Sequence, residues 1–206
     1  MHPEALTEQS KQIFTLLKKF PGFYLAGGTA LALQMGHRIS VDFDLFSDHE
    51  IKKDLLSKVQ KEYSSLPLNI SVNNADELTV FLGGTKLTFL YYPFPVIFDF
   101  VTEGGLPILS VKEIAATKAY TIGCRRSYKD YIDLYFVVVE KHASLEEVIA
   151  TAEKKYGGAF NSRLFLEQLV YLTDIEDTEI EFLREGPKSK EALQDFFSKE
   201  IEKMAL

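Results

Sequence analysis

The chain has 206 residues, 46% of them apolar, with a formal net charge of −7 and one cysteine. It can bury a sizeable core in one or two domains, and Cys124 alone excludes an internal disulfide framework and fits a reducing cytosol. The acidic balance disfavours indiscriminate binding to nucleic acid, although a local basic patch would suffice for one RNA.

The opening MHPEALTEQSKQIF has neither a basic region nor an apolar run, and no stretch reaches membrane-spanning length. A cytoplasmic protein with no membrane partner is expected. Thr7–Phe20 reads as a helix stopped by Pro21-Gly22. Phe23-Tyr24-Leu25-Ala26 reads as a short buried strand, followed by Gly27-Gly28 and a helix from Thr29 to a stop at Gly36. Strand, glycines and helix bring backbone N–H groups close to an anion. Thr29 is placed to cap that helix or to touch a phosphate. A plain strand-to-helix turn is the alternative. Gly-Gly-Thr recurs at 83–85 between LTVFL and KLTFL, where it reads as a hairpin turn, so the context carries the signal.

Arg38 follows, either as a bidentate donor to a triphosphate or as a neutraliser of the carboxylates next to it. Those are Asp42 and Asp44. Val41-Asp42-Phe43-Asp44-Leu45 alternates apolar and acidic, the period of a strand with both carboxylates on one face. Two like charges that close need a cation, and Mg²⁺ prefers one or two carboxylates plus substrate phosphates. An amphipathic strand with a solvated acidic face is the alternative. Next come a polar helix near 49–63, a strand near 68–73 and the hairpin 78–92. Asp99 interrupts the apolar run Pro95–Val101, expected to be a strand buried on both faces. A buried carboxylate there needs a partner or a metal. Glu103-Gly104-Gly105-Leu106-Pro107 breaks the pattern. Beyond it five helices are expected, near 110–121, 127–141, 144–155, 162–172 and 189–204.

The run GGTALALQMGHRISVDFDLF resembles the AbiEii/AbiGii-type nucleotidyltransferases of the DNA polymerase β-like superfamily, whose pattern is a glycine turn, a helix and an h-D-x-D strand. Residues 37–46 match the narrower H-R-x-S-x-D-x-D-L-F form throughout. Thr29 stands where Ser is common. LSVKEIAATKAYTIGCRRSYKDYIDLYFV resembles the family's later motifs, matched by Lys118, then Arg126, Lys129, Asp130 and Asp133. Surface i,i+4 pairs, Arg126–Asp130 and Lys129–Asp133, are the alternative reading of these residues. The resemblance spans roughly residues 22–137.

It implies an α/β (mixed α+β) fold, with a nucleotidyltransferase-like mixed sheet, flanking helices and a helical C-terminal half. Residues 1–105 would be the catalytic domain and 106–206 a helical domain packed on the active-site cleft. The implied activity is Mg²⁺-dependent transfer of a nucleotide from an NTP to an acceptor, releasing pyrophosphate. Asp42, Asp44 and Asp99 would hold two Mg²⁺ ions, with Asp99 as third ligand or base. Gly27, Gly28 and Thr29 would cradle phosphates. Arg38, Lys118, Arg126, Lys129 and Asp130 would complete the nucleotide site. The family's toxins imply a cognate antitoxin as partner and, among acceptors, tRNA. A phosphotransferase using the same site, or a nucleotide-binding regulator without turnover, stands beside this reading.

Overall fold

The computed structural model describes residues 1–122, 124, 125, 127–176 and 178–204. The chain forms two compact units: residues 1–95 with 99–109, and residues 96–98 with 110 onward.

The first unit is a mixed sheet with helices. Helix α1 (Glu8–Leu17) is capped by Thr7, whose hydroxyl accepts the Ser10 N–H. Strand β1 (Tyr24–Ala26) runs directly into α2 (Gly27–Met35), which ends where Gly36 turns left-handed at φ 62°. Then come β2 (Phe43–Ser47), α3 (Leu55–Glu62), β3 (Leu68–Asn73), β4 (Glu77–Leu82), β5 (Thr85–Tyr91), β6 (Val101–Glu103) and β7 (Leu106–Ile108). Among the described residues the strands form one sheet in the order β3-β4-β5-β2-β1-β7-β6. β2 runs parallel to β5 and β1 parallel to β7; the other neighbours are antiparallel. The alternation expected for a half-buried strand is observed: Phe43 and Leu45 are fully buried, while Asp42 and Asp44 are half-buried on the other face.

The apolar face carries Leu78, Val80, Leu87 and Phe89, all fully buried with Phe43 and Leu45. Helices α1 and α3 contribute to that core. The Phe20 ring meets Phe89 edge-on at 5.1 Å, and the Tyr63 hydroxyl donates to the Ile13 carbonyl at 3.0 Å. The two Gly-Gly pairs at 83–84 and 104–105 are hairpin turns with positive φ at both residues, which matches the strand twist. The second of these, read from sequence as a break, closes β6 onto β7.

The second unit is helical: α4 (Val111–Ile122), α5 (Tyr128–Val139), α6 (Leu145–Tyr156), α7 (Ser162–Leu169) and α8 (Lys190–Met204). Each lies within a few residues of its expected range. α6 opens with a capping box, in which Ser144 takes the Glu147 N–H and Glu147 takes the Ser144 N–H. Small residues on α4 (Ala115, Ala116 and Ala119, all buried) let neighbouring helices approach, with Ile132, Leu134 and Val137 of α5 also fully buried. No described helix is long and apolar enough to cross a membrane.

Candidate active site

The glycine turn and the acidic strand meet because of strand register. Ala26 pairs with Asp44 across the antiparallel β1–β2 ladder. The next residue, Gly27, begins α2 at φ 69°. A Cβ on Gly27 would collide with the Asp44 carboxylate oxygen Oδ2. Glycine is required twice here, by its dihedral and by the carboxylate seated against it. No side chain caps α2, whose N-cap is Ala26. The first amides of α2 therefore point from a helix N-terminus beside that carboxylate, the arrangement that favours an anion.

The sequence starts this helix at Thr29, but the structure starts it two residues earlier. Thr29 is consequently not the cap. It is buried, its hydroxyl donating to the Asp42 carbonyl and lying 2.7 Å from the Ser40 hydroxyl. Thr29 thus pins the backbone that presents Asp42. Asp42 Oδ1 accepts the Lys86 N–H at 3.1 Å, which fixes the carboxylate against β5 and leaves it further lone pairs. Arg38 is buried at 3% exposure, and Nη1 donates to the Ile39 carbonyl at 3.1 Å.

Asp99 departs from expectation. It is exposed and lies in no strand. Pro93 and Pro95 offer no N–H to a ladder. The amides of Ile97 and Phe98 are taken instead by Glu113 Oε2, at 2.9 and 3.1 Å. That carboxylate is itself paired at 2.5 Å with Lys155, both side chains being fully buried. Among the described residues no three of His, Cys, Asp and Glu gather closely enough to hold a metal ion. Asp99 therefore does not join Asp42 and Asp44 in a three-carboxylate cluster. The remaining donor set, two carboxylates on one strand face, still suits Mg²⁺ completed by substrate phosphates.

The sheet supplies neighbours that the sequence reading missed. Thr88 of β5 stands in register with Asp44, and Thr79 of β4 with Thr88. The Thr79 and Thr88 hydroxyls lie 3.1 Å apart, and Thr79 donates to Glu77 Oε1 at 2.6 Å. The alternation of β4 and β5 is visible in sequence; their pairing with β2 is not.

In the second unit Lys118, Asp130 and Asp133 come together. The Lys118 ammonium, 4% exposed, sits 2.5 Å from Asp130 and 2.8 Å from Asp133. Arg125 closes on Asp130 with two bonds, at 2.7 and 3.0 Å. Burial pulls the Lys118 ammonium toward neutrality, but the Asp133 and Asp130 charges outweigh it and hold its pKa above the ordinary lysine value. Burial likewise opposes ionisation of Asp130, yet Lys118 and Arg125 keep its carboxyl below the usual range. Asp130 thus bonds both Lys118 and Arg125, and Asp133 meets Lys118. Lys129 is half-buried, and Arg126 lies outside the described residues.

Gly27→Ala tests the geometry of the turn. The forced left-handed dihedral should cost about 1–2 kcal/mol, and the added methyl must also push Asp44 aside. Activity should fall further than thermal stability does. Parental turnover in Gly27→Ala, measured beside its melting curve, would show that Asp44 does not need that seat.

The profile of the family described as "Nucleotidyl transferase AbiEii toxin, Type IV TA system" matches residues 12–203. Uncharacterized protein aq_aa25 of Aquifex aeolicus (strain VF5) is 32% identical over 182 residues, which cover 87% of this chain and 86% of the relative. Among solved structures, MenT4, a nucleotidyltransferase toxin of Mycobacterium tuberculosis H37Rv, superposes with TM-score 0.58 at 15% identity, covering 93% of this chain and 80% of its own. JHP933 of Helicobacter pylori superposes with TM-score 0.52 at 19% identity, covering 97% and 96%. At those identities the likeness is one of fold, and the fold is the mixed α/β one described above. The profile match and the Aquifex relative carry the assignment: the chain belongs to the AbiEii family of nucleotidyl transferase toxins of type IV toxin–antitoxin systems, and it is a nucleotidyltransferase.

Proposed function

We propose that this enzyme is a Mg²⁺-dependent toxin that moves a nucleotide from an NTP onto tRNA in the cytoplasm, releases pyrophosphate, and is held in check by a cognate antitoxin. One observation carries the reading: the Asp44 carboxylate is seated against Gly27 at the N-terminus of α2. On this reading a phosphate site and a divalent-cation site would share one corner of the sheet. Asp42 and Asp44 would hold two Mg²⁺ ions, and bound metal supplies the positive charge that offsets the attacking and leaving oxygens. The amides of Gly27 and Gly28 would bind the β- and γ-phosphates. Thr29 acts behind them, fixing Asp42 through its carbonyl. Arg38, buried beside this corner in the chain, would hold the loop before β2 and add positive charge to the nucleotide site.

The acceptor half of the proposal draws on the basic residues at the start of α5. Arg125 keeps its side chain 59% exposed while bonding Asp130. With Arg126 and Lys129 it would offer a polyanion a local patch on an otherwise acidic protein. The test is to incubate the protein with total tRNA and each α-labelled NTP, in MgCl₂ or in EDTA. Label on tRNA, dependent on Mg²⁺ and weakened in the Arg125→Ala/Arg126→Ala double variant, is the expected result. Pyrophosphate release with label only on protein would reassign the acceptor. Release that persists in EDTA would remove the metal from the reading.

A further inference from the structure

The sheet continues past the two carboxylates as an open face. Thr88 of β5 partners Asp44, and cross-strand partners share a face. Lys86, two residues back along β5, therefore lies on the face of the carboxylate pair. Its amide bonds Asp42 Oδ1, which sets Lys86 directly beside that carboxylate. Phe81 of β4 partners Lys86, and Asn69 of β3 partners Phe81. Asp42, Lys86, Phe81 and Asn69 thus form one row running from the carboxylates to the sheet edge, with strands about 4.8 Å apart. Phe81 is 37% exposed, Asn69 is exposed and Lys86 is half-buried. Among the described residues no carboxylate or ring pairs with the Lys86 ammonium. Neither Lys86 nor Phe81 guards an edge, since β4 and β5 are interior strands. A lone cation beside an exposed aromatic ring, on a sheet face of a chain of net charge −7, is a combination that takes a phosphate and a base.

The side on which the row lies selects its occupant. The glycine turn that would take the β- and γ-phosphates follows β1, on one side of β2; β5, β4 and β3 lie on the other side. The attacking and leaving oxygens stand roughly in line across the phosphorus. With pyrophosphate leaving on the β1 side, the acceptor comes from the β5 side, over this row. We propose that Lys86, Phe81 and Asn69 hold the acceptor, and that the acceptor is a single-stranded RNA 3′ end. This rests on the nucleotidyltransferase reading of the site and gives its acceptor a place and a form. The Lys86 ammonium meets a phosphate near the end, a base stacks on Phe81, and the Asn69 amide donates and accepts at a base edge. A duplex end does not fit this role, because its bases are already stacked and paired.

Two RNA hairpins of one sequence test this, one blunt and one with a short single-stranded 3′ tail. RNA binding is measured in MgCl₂ without NTP, and NTP binding without RNA. The parent protein should prefer the tailed hairpin by at least about fivefold, the worth of one stacked base. Phe81→Ala should erase that preference. Phe81→Leu should erase most of it while keeping an apolar side chain on β4, and Phe81→Tyr should retain it. Melting curves of these variants separate lost stacking from lost folding. Lys86→Gln keeps the amide that bonds Asp42 and removes the charge. The slope of log affinity against log salt should therefore fall by about 0.7, one phosphate of a single strand. In pyrophosphate release the loss should sit in KM for the tailed RNA, with NTP affinity within about twofold of the parent. An unchanged preference in folded Phe81→Leu overturns the surface. So does a loss of NTP affinity in Lys86→Gln, which would assign that cation to the triphosphate. A parent protein that releases pyrophosphate yet binds both hairpins equally overturns this inference alone. One that binds no NTP and releases no pyrophosphate overturns the nucleotidyltransferase reading with it.

Discussion

Asp44→Asn is expected to abolish transfer and to leave the protein folded. The loss should reach about 10³-fold or more, the scale on which removal of a preorganised electrostatic group acts. Asparagine has the shape of aspartate, so it fits the seat against Gly27 without the collision that a Cβ there would produce. It lacks the charge that Mg²⁺ requires, so Mg²⁺-dependent NTP binding should weaken with it. Stability should hold or rise, because one of two like charges on a strand face is gone. Pyrophosphate release and a melting curve on one preparation decide the matter. A folded Asp44→Asn protein that turns over normally would sink the assignment of the chemistry to this strand.

The largest stability effect belongs to the second unit. Lys118→Met should destabilise it by about 3–5 kcal/mol, because the ammonium between two buried carboxylates is removed and their burial is no longer offset by it. Arg125→Ala, whose side chain is more than half exposed, should cost no more than about 1 kcal/mol. The pH dependence follows from the signs of the shifts. The Asp130 carboxyl is depressed in the folded protein, so its contribution is complete above about pH 4 and is lost as pH falls through the folded value. The Lys118 ammonium is raised, so its contribution is complete below about pH 10 and is lost as pH rises through the folded value. In Lys118→Met the acid limb should invert. Burial without the ammonium raises the carboxyl pKa, so mild acid should stabilise the variant relative to neutral pH. Urea unfolding from pH 4 to 8 reads both signs. Equal stabilities of parent and variant across that range would show that the triad contributes nothing.

What the sequence determined by itself is what neighbours along the chain determine. The alternation of residues 41–45 sets Phe43 and Leu45 inward and the two carboxylates outward, because a strand has period two whatever pairs with it. The Gly83-Gly84 hairpin, the Gly36 stop and the Ser144–Glu147 capping box are written in a few adjacent residues. The family motifs are equally local, since phosphate turn and acidic strand lie within one short stretch. What only the tertiary structure decided depends on partners distant in the chain. Pro95–Val101 is apolar enough to look like a buried strand, yet within it only Val101 joins a ladder, and the Ile97 and Phe98 amides go to Glu113, sixteen residues after Ile97. Helical spacing also allows Asp130 and Asp133 to be read as members of surface i,i+4 pairs, but the packing of α4 on α5 buries them against Lys118. Thr79 and Thr88 read as ordinary strand residues until β5 pairs in parallel with β2, at a register that places Thr88 beside Asp44. Side-chain period fixes which face a residue takes; only pairing and burial fix whom it meets there, and a carboxylate's chemistry depends on its company.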